Sequence, residues 1–260
     1  MSGKAKVGFY GVTGCAGCLL SVAFNEDEIL DIVGAIDLVA FPFIKGENDN
    51  ECKLDIVFIE GTVASKDDEV QVKKLRKRAS IVVALGACAC VGNIPALRNY
   101  KNEKDVKDLK YDKREQNQDR DGGPRPLHEV IPVEFSLPGC PPDRDEIKTF
   151  IKEVLLGKTF KNYKDPVCIE CKLNDNGCLL DEGEVCVGPI TAGGCKAICT
   201  TNGLKCYGCR GLTDDANFEE FFALMEEKGI DATATKKVME TFMAIDINEK
   251  LKDTKWAKLH

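Results

Sequence analysis

Histidine is almost missing from this chain: 260 residues contain two, His128 and His260. Histidine carries much of biological acid–base catalysis and completes mixed zinc sites, so a histidine-based active site or zinc centre has no material here. Excess positive charge is missing as well. The formal net charge is −7 and no basic face is evident in the composition, which argues against a nucleic-acid partner. No apolar run approaches the roughly 20 residues of a membrane-spanning helix. Runs such as Ile56–Ile59 and Val82–Leu85 have the length of buried strands. No secretory leader is read at the start, where Met1-Ser-Gly-Lys4 leads straight into an apolar segment. The expectation is a cytoplasmic chain without a membrane span, whose thiols stay reduced.

What the chain has in plenty is cysteine, 14 residues of it, and eight lie between Cys168 and Cys209. The spacing is Cys168-x2-Cys171-x6-Cys178-x7-Cys186, then Cys195-x3-Cys199-x6-Cys206-x2-Cys209, with Gly188-Pro189 between the two halves. Two groups of four soft thiolates suit two metal centres, and both a four-iron cluster and a structural zinc take four cysteines. Three readings compete. Disulfides fit the even count, but a reducing compartment opposes them. Zinc ribbons pair two Cys-x2-Cys knuckles across about 15–20 residues. Here the two knuckles, Cys168/Cys171 and Cys206/Cys209, lie further apart, with four more cysteines between them. Iron–sulfur clusters are the reading this stretch favours.

Read in order, the first part of the chain alternates strands and helices. Residues 5–11 form an apolar run ending in glycine, followed by Thr13-Gly-Cys15-Ala-Gly-Cys18 and a helix that starts over Leu19–Phe24. Further strands are expected at Asp37–Phe41, Asp55–Ile59, Ser80–Leu85 and Val130–Phe135, with an amphipathic helix over Lys66–Arg78 whose Val70, Val72 and Leu75 share a side. A helix over Asp145–Leu156 closes the first domain. This alternation predicts an α/β fold with a parallel sheet covered on both faces. The charged stretch from Asn99 to Arg125 reads as a solvated loop. Tyr163–Pro166 links to the cysteine-rich module, and from Asp214 onward the chain is helical in composition, with Phe218, Phe221, Phe222 and Met225 as core contacts.

Cys15, Cys18, Cys88 and Cys140 are far apart in sequence, yet each follows a predicted strand. In an open α/β sheet, ligands gather beyond the carboxyl ends of the strands, so these four make a third candidate cluster site. Gly14, Gly17, Gly86 and Gly139 permit close backbone approach. A thioredoxin-like pair at Cys15/Cys18 would leave Cys88 and Cys140 unexplained. The glycines at Gly8, Gly11 and Gly14 match neither the dinucleotide fingerprint nor a phosphate loop.

Taken together, Thr13-Gly-Cys15-Ala-Gly-Cys18, Glu60-Gly61-Thr62-Val63, Gly86-Ala-Cys88-Ala with Gly92-Asn-Ile-Pro95, and Pro138-Gly-Cys140-Pro-Pro142 occur in that order. They resemble the small, electron-transferring subunit of [NiFe] hydrogenases. Cys186-Val-Gly-Pro-Ile-Thr191, Cys195 and Cys206-Tyr-Gly-Cys209 look like the later cluster segment of the same family. The resemblance covers roughly residues 5 to 212; beyond Gly211 no motif is read. It is strongest to the soluble multimeric enzymes, of the sulfhydrogenase delta-subunit type and the methyl-viologen-reducing, heterodisulfide-reductase-linked type.

The resemblance implies a flavodoxin-like domain over residues 1–160 that holds a proximal [4Fe–4S] cluster on Cys15, Cys18, Cys88 and Cys140. It implies a cysteine-rich, irregular and helical iron–sulfur domain over residues 161–260, with a medial cluster on Cys195, Cys199, Cys206 and Cys209 and a distal one on Cys168, Cys171, Cys178 and Cys186. Membrane-associated and periplasmic members differ: they carry histidine at the place of Cys168 and, near Cys199, proline beside a three-iron cluster. A fourth thiolate at Cys199 implies a full four-iron cluster of lower potential, because added anionic charge disfavours reduction. The implied function is electron relay, through three [4Fe–4S] clusters, between the nickel–iron site of a hydrogenase large subunit and a further electron-accepting subunit. That subunit would be a flavin/iron–sulfur diaphorase or of the heterodisulfide-reductase type. No catalytic residue is expected in this chain itself. Cys52 and Cys90 are unassigned, Cys90 being an alternative to Cys88; Glu60 matches an acidic family position with a strand-end or salt-bridge role as an alternative to a catalytic one. Two rivals stand beside this reading: an iron–sulfur subunit of another oxidoreductase, and a zinc-stabilised structural module.

Overall fold

The computed structural model describes residues 4–24, 34–100 and 123–259. These divide into two compact units, Met1–Lys161 and Asn162–His260. The charged stretch expected to be a solvated loop falls, for residues 101–122, outside the described residues.

The first unit is built on five parallel strands: β1 (Lys6–Gly11), β2 (Asp37–Ala40), β3 (Leu54–Glu60), β4 (Ala79–Leu85) and β5 (Phe135–Leu137). Their order in the sheet is β2-β1-β3-β4-β5, the flavodoxin-like arrangement, in which the chain reverses direction of travel between β1 and β3. The central strands are apolar on both sides because both faces are covered. On one face Phe9 stacks between Phe41 and Phe58, with ring centroids 4.6 and 4.5 Å away, and Phe150 meets Phe58 edge-on. Helices α1 (Gly17–Ala23) and α5 (Arg144–Leu155) supply Leu19, Val22, Ile147, Phe150 and Ile151 to that layer. Asp143 starts α5 by accepting the backbone N–H groups of Asp145 and Glu146.

The opposite face is covered by α2 (Lys66–Arg78), which opens with a capping box between Ser65 and Asp68. Val72 and Leu75 of α2 are buried against the sheet, but Val70 is 51% exposed. Expecting Val70 on the same side was an error of phase. Residues two apart on a helix lie about 200° around the axis, so Val70 cannot share a face with Val72.

The fifth strand also departs from expectation. Val130–Glu134 does not pair as a regular strand, and β5 is confined to Phe135–Leu137. Pro132 has no N–H to give to a ladder. Glu134 instead bridges with both backbone and side chain: its N–H donates to Val82 O at 3.1 Å, and its Oε2 accepts from Val82 N at 2.7 Å. Arg76 anchors the same carboxylate at 2.6 Å. After β4 come two short helices, α3 (Ala87–Val91) and α4 (Asn93–Ala96), hinged at the left-handed Gly92.

In the second unit, α6 (Val167–Leu173) and α7 (Ile198–Thr201) are short, and most of the cysteine-bearing chain is irregular. Regular structure comes from α8 (Phe218–Glu227) and α9 (Ala232–Leu251), the latter kinked at Met243. Phe221, Phe222, Met225, Met239, Met243 and Ile247 form one core with Val187, Ile190, Cys186 and Cys206. The tail without a recognisable motif therefore supplies the apolar backing of the cysteine segment. Phe222 stacks on Trp256 at 4.5 Å.

Candidate metal centres

Strand register builds the first centre. Gly11 pairs with Glu60, Glu60 with Leu85, and Leu85 with Leu137, so four strands end in one row at the same edge of the sheet. The loops that follow carry Cys15 and Cys18, then Gly61, then Cys88, then Cys140. Two further bonds tie the last two loops together: Gly86 N–H donates to Leu137 O and Ala87 N–H to Gly139 O, each at 2.8 Å. Cys18, Cys88, Cys140 and Cys15 thereby become electrostatic neighbours. The approach is tight at Gly86, which has a left-handed backbone (φ +88°). A Cβ there would sit 2.2 Å from Cys18 Sγ.

Glu60 closes the floor of this site. It is 3% exposed, and its Oε2 accepts the backbone N–H of Leu19 at 2.8 Å. Backbone N–H groups of Cys18 and Ala16 also bond this carboxylate. Burial pushes its pKa up, against the pull of those donors. Glu60 thus holds the Cys15–Cys18 loop at the start of α1. Cys15 and Cys140 are the exposed members of the site.

Cys88 and Cys90 are sorted by helix geometry. They lie two residues apart on α3 and so face opposite ways. Cys88 joins the strand-end group, whereas Cys90 is buried in the core on the α2 side, with its Sγ 3.5 Å from Ala84 O. Cys52 lies apart from both, its N–H bonded to Asp49 and its carbonyl to Arg78. Asn93, which sequence reasoning passed over although it stands in a quoted motif, places Nδ2 3.2 Å from Cys88 Sγ and 3.8 Å from Cys140 Sγ.

In the second unit three cysteines close on Gly188. A Cβ on Gly188 would meet Cys168 Sγ at 3.3 Å, Cys186 Sγ at 3.6 Å and Cys206 Cβ at 3.8 Å. Cys168 has Cys186, Cys171 and Cys178 as electrostatic neighbours. Cys195 neighbours Cys199, and Cys206 neighbours Cys209. The two sets adjoin where the Cys206 N–H donates to Cys186 Sγ at 3.4 Å. Polar side chains that the sequence did not single out lie among them. Asn176 donates to Cys171 Sγ at 3.6 Å, and Glu170 accepts the Gly194 N–H at 2.9 Å beside Cys195. Arg210, also buried, bonds Gly193 O.

The donor chemistry fits clusters that take thiolate alone. Burial pushes the free thiols up: Cys88 to about 11 and Cys168 to about 12, with Cys18 and Cys206 higher still. Without compensating positive charge these groups stay protonated, and a bound metal centre supplies that charge and takes the proton's place. Backbone N–H groups already point at sulfur, from Gly188 and Cys206 to Cys186, from Ala197 to Cys195 and from Gly208 to Cys206. Among the described residues, no three His, Cys, Asp or Glu side chains are grouped closely enough to hold a single metal ion. A four-iron cluster binds each thiolate to a different iron and does not call for such grouping.

Known proteins agree with this architecture. Residues 15–154 match the family described as NADH ubiquinone oxidoreductase, 20 Kd subunit. Sulfhydrogenase 2 subunit delta of Pyrococcus furiosus is 33% identical over 245 residues, covering 90% of this chain and 97% of that protein. A subunit of the F420-non-reducing hydrogenase of Methanothermobacter thermautotrophicus is 29% identical, covering 96% of this chain and 90% of that protein. Among solved structures, a chain of an NAD+-reducing [NiFe]-hydrogenase superposes with TM-score 0.52 at 26% identity, covering 60% of this chain and 93% of that one. A chain of the Dm. baculatum [NiFeSe]-hydrogenase shares the fold at TM-score 0.57 and 18% identity, covering 85% of this chain and 97% of that one. Among the described residues no helix is long and apolar enough to cross a membrane. The chain belongs to the NADH ubiquinone oxidoreductase 20 kDa subunit family and, within it, to the small subunits of [NiFe] hydrogenases, as one component of an enzyme complex.

Proposed function

We propose that this chain is the electron-relay subunit of a cytoplasmic hydrogenase and holds three [4Fe–4S] clusters. Cys15, Cys18, Cys88 and Cys140 would hold the proximal one, Cys195, Cys199, Cys206 and Cys209 the medial one, and Cys168, Cys171, Cys178 and Cys186 the distal one. Such clusters, when bound, supply one-electron sites that join the nickel–iron centre of a large subunit to a further electron-accepting subunit. The chain's own work is to present thiolates, direct amide N–H groups at sulfur and keep water away. One observation carries the reading: cysteines from three separate strand-end loops come together at one sheet edge, with Cys15 and Cys140 exposed where a large subunit can approach. The names of the relatives, which are subunits of a sulfhydrogenase and of F420-non-reducing hydrogenases, favour a hydrogenase over another oxidoreductase of the same family.

Anaerobic iron, zinc and acid-labile sulfide analysis of the purified chain tests this. Three clusters require about twelve iron and about twelve sulfide per chain. About eight iron would remove the strand-end site from the proposal. Zinc without sulfide would end it in favour of a structural zinc module. Co-purification of a nickel-containing large subunit then separates the hydrogenase reading from another iron–sulfur oxidoreductase.

A further inference from the structure

Asn93 follows the left-handed Gly92 and itself takes a left-handed backbone, with φ +53°. It is 3% exposed. In this conformation its Oδ1 accepts the backbone N–H of the next residue, Ile94, at 2.6 Å. The acceptor end of the amide is thereby occupied, which fixes which end faces the cysteines. Nδ2, with two N–H donors to give, lies 3.2 Å from Cys88 Sγ and 3.8 Å from Cys140 Sγ. Those two sulfurs belong to different segments, Cys88 to α3 after β4 and Cys140 to the turn after β5. One buried side chain thus spans half of the strand-end set.

We propose that Asn93 is a positioning residue that sets the reduction potential of the proximal cluster by donating to two of its four thiolates, a proposal that rests on the cluster reading above. Reduction adds one negative charge, part of which resides on the sulfur ligands. N–H donors aimed at those ligands stabilise the reduced state more than the oxidised one and raise the potential. The cysteines of the second unit take several donors from backbone N–H groups of Gly188, Ala197, Cys206 and Gly208. Those donors persist through side-chain substitution. Asn93, by contrast, concentrates two of them in one replaceable group.

Two variants test it in the assembled hydrogenase complex. Asn93→Asp keeps the shape, the tolerance of left-handed backbone and the acceptor for Ile94, but replaces the donors with an anion. Asn93→Gly keeps the backbone freedom and removes the amide altogether. Iron content is measured for each, and the clusters are followed by EPR during redox titration. The expected result is full iron, a lower proximal midpoint in both variants with the larger fall in Asn93→Asp, and no movement of the other two midpoints. A tenfold change in the ratio of reduced to oxidised cluster corresponds to about 59 mV for a one-electron couple. Any variant that retains full iron yet leaves the proximal midpoint unmoved overturns the proposal. Loss of about four iron from both variants overturns it too, since the amide would then serve assembly rather than potential. Wild-type complex with about eight iron per small subunit would instead overturn the cluster reading itself.

Discussion

The strand-end cysteines and the cysteines of the second unit are held in place by different physical routes. The first set hangs from a parallel sheet whose register aligns Gly11, Glu60, Leu85 and Leu137, so the backbone ladder positions the loops before any metal arrives. The second set lies on mostly irregular chain, held from behind by the side chains of α8 and α9. A ladder survives loss of what it carries. Irregular loops with polar backbone and buried thiols depend far more on the metal that joins them.

Removing the proposed iron–sulfur clusters sharpens that contrast most. Anaerobic chelation is expected to leave the first unit's sheet protected in amide hydrogen exchange while residues 165–212 exchange within the dead time. Equal protection of the two regions would break the comparison. Gly86→Ala comes next. Its Cβ would lie 2.2 Å from Cys18 Sγ on a left-handed backbone, so the proposed proximal cluster, about four iron, should be lost from the chain. Gly203→Ala is its control, because that Cβ meets nothing within 4 Å despite φ +73°; iron content should hold. Backbone strain alone would account for a loss of iron from both.

Phe222→Ala addresses the helical backing. Phe222 is buried and stacked on Trp256, and truncating a buried aromatic costs about 3–5 kcal/mol. Denaturant melts should show that loss in the second unit, with the signals of the proposed medial and distal clusters weakening before that of the proposed proximal one. Glu60→Ala is the smallest of the four. Removing an acceptor of buried backbone N–H groups costs about 1–3 kcal/mol, centred on the Cys15–Cys18 loop and α1. Protection there should fall while the second unit stays unchanged; a matching change in the second unit would show that Glu60 does more than hold its loop.

Much of the first unit could be read in advance because its signals are local. Ile56–Ile59 and Val82–Leu85 are apolar on both sides, as a strand covered on two faces must be, and glycine marks where each turn begins. β5 was misplaced because Pro132 and Glu134 replace ladder bonds with a side-chain bridge, which no periodicity reveals. Val70 was misplaced by counting apolar residues rather than their phase around the helix. The candidate ligands were legible from cysteine spacing in the second unit, and from strand ends in the first.

By itself, then, the sequence determined a parallel α/β sheet and a thiolate-rich donor chemistry, because both rest on residue type and on short patterns along the chain. Only the tertiary structure decided that Cys88 faces the strand-end group while Cys90 faces the core, that Glu60 is a buried loop anchor, and that Asn93 points two donors at sulfur. These depend on where side chains point once register, helix phase and the left-handed backbone at Gly92 and Asn93 are set. Such directions arise from contacts between segments tens of residues apart, and a one-dimensional pattern does not carry them.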